Sequence, residues 1–70
     1  GEEVGERLVS LLYESTSNAE AAMILNTIVF LRDGGFSDSV NNLRIDPSKI
    51  KVDEPLVQRR LEYLGFVEIK

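Results

Sequence analysis

The segment that most limits the fold of this chain is SNAEAAMILNTIVFLRDGG, residues 17–35. It opens with Ser17-Asn18-Ala19-Glu20, the S-x-x-E spacing of a capping box, in which a serine hydroxyl and a glutamate carboxylate each satisfy a backbone amide at a helix start. It closes on Gly34-Gly35, which supplies the left-handed residue that stops a helix. Between these ends the run is apolar at almost every position, and only Glu20, Asn26, Arg32 and Asp33 are firmly polar. A helix apolar nearly all round belongs at the centre of a fold, packed on several sides. Met23 and Phe30 are therefore expected to be core filler.

The size of the chain sets what can surround that helix. Its 70 residues have room for one domain with one modest core and little stability to give up to a strained active site. There is no Cys and no His. Disulfides, thiolate nucleophiles, the usual zinc sites and the commonest general base are thereby excluded. No run approaches the roughly 18 apolar residues of a membrane span, and the N-terminus lacks the basic flank and apolar stretch of a signal peptide. An intracellular setting, cytoplasmic or nuclear, is expected. With Gly1 where an initiator Met would stand, the chain is expected to be a single small domain cut from a larger protein.

The formal charge of -4 argues against a general nucleic-acid binder, but the charge is uneven. Residues 1–38 carry Arg7 and Arg32 against seven carboxylates, whereas in residues 44–60 Arg44, Lys49, Lys51, Arg59 and Arg60 outnumber Asp46, Asp53 and Glu54. One end of the domain is expected to present a mildly positive surface.

Periodicity places the other elements. In residues 2–15, Val4, Leu8, Leu11, Leu12 and Ser15 recur at spacings of three and four, with Glu2, Glu3 and Glu6 suited to the positive end of a helix dipole. Gly5 is expected to fray that start. Beyond the double glycine, Phe36 is a candidate for a brief strand. Ser37 or Asp38 caps a short helix with Val40, Leu43 and Arg44 beneath it, ended by Asp46-Pro47. Residues 49–52 alternate as in a short strand or an extended linker. In residues 53–64, Asp53 is the expected cap, Pro55 suits the first turn, and Val57, Leu61 and Leu64 form a buried stripe that leaves Gln58, Arg59 and Glu62 outside. Gly65 stops this helix, and residues 66–69 read as a strand.

From Glu20 onward the order is long buried helix, Gly-Gly, short helix, linker, amphipathic helix, then L-G-F-V-E-I. This resembles the winged-helix branch of the helix-turn-helix superfamily, in which a third helix patterned V-x-x-x-L-x-x-L-G leads into the first wing strand; Val57, Leu61, Leu64, Gly65, Phe66, Val67 and Ile69 match. The resemblance implies a mainly α fold with a small β component, a winged-helix-like three-helix core with an additional N-terminal helix, and an incomplete wing. The linker over residues 45–52 is longer than the tight turn of a DNA reader, and the chain reaches Lys70 with no partner strand for residues 66–69. Either residues 49–52 or Phe36 pair with that edge, or it is open to a β-augmenting peptide.

The family implies two modes of use. In one, the helix over residues 53–64 reads duplex DNA, with Asp53, Glu54, Gln58 and Arg59 at the bases and Arg60 with Lys49 or Lys51 near phosphates. In the other, as in the winged helices of cullin scaffolds and endosomal sorting complexes, the domain serves protein assembly. The acidic balance and the acidic helix start favour the second. An enzyme is not expected: Gly34-Gly35 lacks the Lys-Ser/Thr of a phosphate loop, and the paired carboxylates sit where helix starts explain them. No cofactor, metal or small-molecule substrate is expected. The candidate partner-binding residues are Arg44, Lys49, Lys51, Gln58, Arg59 and Arg60, facing an acidic protein segment or phosphate, together with Phe66 and Ile69. Tyr13 and Phe36 are further candidates for a partly uncovered aromatic surface.

Overall fold

The computed structural model describes residues 3–53 and 55–65. Over these residues it is mainly helical, in the order α1 (Glu3–Glu14), α2 (Asn18–Asp33), a 3-10 turn at Asp38–Val40, another at Pro47–Lys49, and α3 (Pro55–Leu64). Among the described residues only Ile45 carries a β-bridge. The expected strand at residues 66–69, with Phe66 and Ile69, lies outside the described residues.

Both ends of α2 close where the sequence leads one to expect, but the capping box forms only by its serine half, the Glu20 carboxylate taking a side-chain hydroxyl in place of the expected backbone amide. Ser17 is extended, and its hydroxyl accepts the Glu20 amide at 3.3 Å. The Glu20 carboxylate in turn accepts from Ser15 Oγ at 2.7 Å, which satisfies a hydroxyl that is almost wholly buried at the end of α1. At the far end the Phe36 amide reaches back to Leu31 O (2.9 Å) and the Gly35 amide to Arg32 O (3.1 Å). This is a Schellman closure, with Gly35 at φ 69° in the left-handed position.

The faces of the helices depart from expectation. On α2, Ala21, Ile24, Leu25 and Ile28 are buried, while Met23 and Phe30 stand in solvent. Assigning those two to the core was wrong for a geometric reason. α1, α3 and the turn at Asp38–Val40 all pack against α2, and together they cover only one side of it. On α1 the buried positions are Gly5, Val9 and Leu12; Val4 and Leu11 are exposed and Leu8 is half-buried. The stripe is rotated because Gly5, far from fraying, is a docking point. Its amide donates to Ser39 Oγ at 3.1 Å, and a Cβ there would fall 2.5 Å from the Ser39 carbonyl oxygen.

The connection from α2 to α3 belongs to the core, since Val40, Leu43, Ile45 and Val52 are all buried. The expected short helix is a single turn that closes at Asn41, before Leu43 and Arg44, and Arg44 is exposed where it was expected beneath the helix. Asp46-Pro47 begins a turn where it was expected to end one. Asp46 is extended, as a residue before proline must be, and its carboxylate accepts from the Ser48 amide at 3.0 Å and from the Ser48 hydroxyl at 2.7 Å. Lys49 completes that turn, and residues 50–52 form no strand. Phe36 is also outside any strand. In α3, Val57, Leu61 and Leu64 are buried, Gln58, Arg59 and Glu62 are exposed, and Gly65 closes the helix with φ 69°. Asp53, the expected cap, is exposed ahead of α3.

Candidate partner-binding surface

The side of α2 turned away from the core carries Ala19, Met23, Asn26 and Phe30 at successive spacings of four, three and four, so they form one row along the helix. Met23 and Phe30 are each 63% exposed. With Ala22 and Thr27 the row lines a shallow, open depression of about 400 Å³. Thr27 donates its hydroxyl to Met23 O at 2.9 Å, which leaves the row less polar than its composition suggests. So open a surface cannot enclose a small ligand, which is normally buried over most of its area, and it suits a macromolecular partner better.

The C-terminal end of the row is enlarged by Phe36. Gly34 makes room for that ring, since a Cβ at position 34 would fall 2.3 Å from Phe36 Cε2. Phe36 stacks on Phe30 with centroids 5.0 Å apart and planes 21° apart, yet it remains 65% exposed. The same double glycine that ends α2 therefore places two aromatic rings side by side in solvent. Large rings held exposed in this way are what binding hot spots are built from.

A line of polar contacts joins this row to α3. Arg60 Nε donates to Asn26 Oδ1 at 2.8 Å, and the Tyr63 hydroxyl donates to Asp33 Oδ2 at 2.7 Å. Arg32 Nη1 donates to Leu64 O at 2.8 Å, and its guanidinium carbon lies 5.2 Å from the centre of the Tyr63 ring. Arg32 Nε also pairs with Asp33 Oδ1 at 3.1 Å. The Tyr63 hydroxyl, and after it Arg32, hold the Asp33 carboxyl below the usual aspartate range. The carboxylate on this border is thus engaged by its own neighbours. Arg60 adds positive charge at Asn26, and Arg59 is exposed on the same helix.

The structure does not gather the expected cationic residues into one patch. Arg59, Arg60 and Gln58 lie on α3, with Arg60 half-buried against α2 and the other two exposed. Lys49 lies by α1, its Nζ 5.6 Å from the centre of the Tyr13 ring, and Arg44 borders a depression shared with Glu6, Ser10 and Tyr13 of α1. Lys51 is exposed in the linker. Phe66 and Ile69 fall outside the described residues. Tyr13 is tied down, since its hydroxyl accepts the Asp46 amide at 2.9 Å, and it is half-buried.

Periodicity overlooked Met23 and Phe30 as surface residues. A signal was present: Asn26, the most polar residue within the apolar run, lies between them on the same side of the helix, and polar residues in such a run mark the side that faces water. Among the described residues no three His, Cys, Asp or Glu side chains group as metal ligands, and no helix is long and apolar enough to cross a membrane. Compared with known protein families, curated proteins and solved structures, the chain matches none.

Proposed function

We propose that this chain is a non-enzymatic binding module that mediates protein–protein contact within a macromolecular assembly, in an intracellular setting. The observation that carries the reading is the Met23–Phe30–Phe36 surface. A domain with so small a core leaves Met23 and Phe30 in solvent on the outer side of α2, with Phe36 stacked on Phe30 just beyond the helix end. On this proposal α2, the turn at Asp38–Val40 and α3 stand as a winged-helix-like three-helix core, with α1 as the added N-terminal helix. The winged-helix resemblance of residues 57–69 supports this, as does the order of α3 after α2.

Arg59 and Gln58, exposed on α3, keep the DNA-reading mode in play as the second reading. The two are separated by fluorescence anisotropy of labelled duplex DNA titrated with the domain at low and near-physiological salt. The protein-binding reading expects no binding even at low salt, where attraction to phosphate is strongest. Micromolar binding that weakens steeply with salt overturns it in favour of DNA.

A further inference from the structure

We infer that the α2/α3 face receives an acidic amphipathic helix of another protein, laid along the Ala19–Met23–Phe30 row with its carboxylates toward Arg59 and Arg60; this rests on the protein-binding reading above. The shape argues for a helix. The row runs along one side of a 16-residue helix. It offers small residues at one end and two stacked rings at the other, which is how an amphipathic helix with anchors about a turn apart is received.

Charge argues for acid. The chain as a whole is negative, yet α3 carries Arg59 and Arg60, with Arg60 bonded to Asn26 of the row; Asp33 already accepts from Tyr63 and Arg32, and Glu62 is the exposed carboxylate of α3. A partner that brought cations here would meet cations.

Charge also decides against a second copy of this chain. Arg60 is bonded to Asn26, at the middle of α2. A twofold axis through that point would set the Arg60 of one copy beside the Arg60 of the other, with Arg59 close by. Like charges facing each other across an interface are unfavourable, and Asp33, the carboxylate in these contacts, is already engaged by Tyr63 and Arg32.

The test uses two fluorescein-labelled, hydrocarbon-stapled helical peptides with leucines at i, i+4 and i+7. One carries glutamates on the flanks, and its twin carries lysines at the same places. Each is titrated into the full chain at low salt and followed by anisotropy and by chemical-shift changes. Two charge pairs of ordinary surface strength predict that the glutamate peptide binds about tenfold tighter than its twin, with shifts at Met23, Phe30 and Arg59. The double variant Arg59→Glu with Arg60→Glu should reverse that preference while the circular-dichroism spectrum stays helical. Equal binding of both peptides, weakened for both by Phe30→Ala, overturns the acidic partner and leaves the protein-binding reading standing. A preference for the lysine peptide does the same. If neither peptide shifts any resonance on α2 or α3 at millimolar concentration, both readings fall.

Discussion

Gly5 shows how a single residue can reverse what its own propensity implies. In an exposed helix Ala is favoured over Gly by about 1 kcal/mol, so replacement would ordinarily stabilise. Here the added methyl would sit 2.5 Å from a backbone oxygen and 2.9 Å from Leu43 Cδ2, and a backbone atom cannot swing aside as a side-chain tip does. Overpacking costs typically 1–3 kcal/mol, which outweighs the gain, so Gly5→Ala is expected to lower the urea midpoint by the equivalent of about 1 kcal/mol. Asp33 supports a second prediction. Its folded pKa is depressed, chiefly by the Tyr63 hydroxyl, so its contribution to stability is present above the unfolded aspartate value of about 4 and is lost as pH falls through the folded value. Tyr63→Phe should move the Asp33 carboxyl titration, followed by NMR, upward. It should also leave stability less dependent on pH in the acid range.

At the scale of the element, α2 has two sides that a substitution can tell apart. Leu25 is wholly buried, and Leu25→Ala should cost about 2–5 kcal/mol. Phe30 loses only its stack on Phe36, so Phe30→Ala should change stability by less than about 1 kcal/mol and show its effect in partner binding. Comparable losses in the two variants, by chemical denaturation, would mean that the outer side of α2 is not a free surface. The same helix marks where sequence reasoning stops. Its cap at Ser17, its closure at Gly35 and the Val57, Leu61 and Leu64 stripe of α3 were legible because each depends on residues at most a few turns apart. How many sides of α2 would be covered was not legible, since hydrophobicity records what can be buried and not how much chain is at hand to bury it. The buried side of α1 was hidden for a related reason. Val4 and Leu11 offered the more apolar stripe, but the register was decided by Ser39, 34 positions along the chain from Gly5.

For the whole molecule, the figures that matter are its size and its single core. A domain of 70 residues at the usual stability per residue has about 4–10 kcal/mol in total. One core substitution such as Leu25→Ala can remove half of it. The linker plugs Val40, Ile45 and Val52 into the same cluster that holds Leu12, Leu25 and Leu61, so no part has a core of its own. Unfolding should accordingly be one cooperative transition. In a Tyr63→Phe variant Tyr13 is the sole tyrosine and reports on α1, and its fluorescence transition in urea should coincide with the loss of helix by circular dichroism. Separate midpoints would show that α1 detaches before α2 and α3 melt.

The Gly5 amide also gives the molecule a local gauge. The first few amides of a helix have no carbonyl partner within it, so they ordinarily trade their hydrogens with water almost unhindered. The one at Gly5 is instead held by the hydroxyl of Ser39. Its protection therefore reports the fraction of molecules in which α1 has lifted from the turn at Asp38–Val40, whether or not the helix itself has come apart.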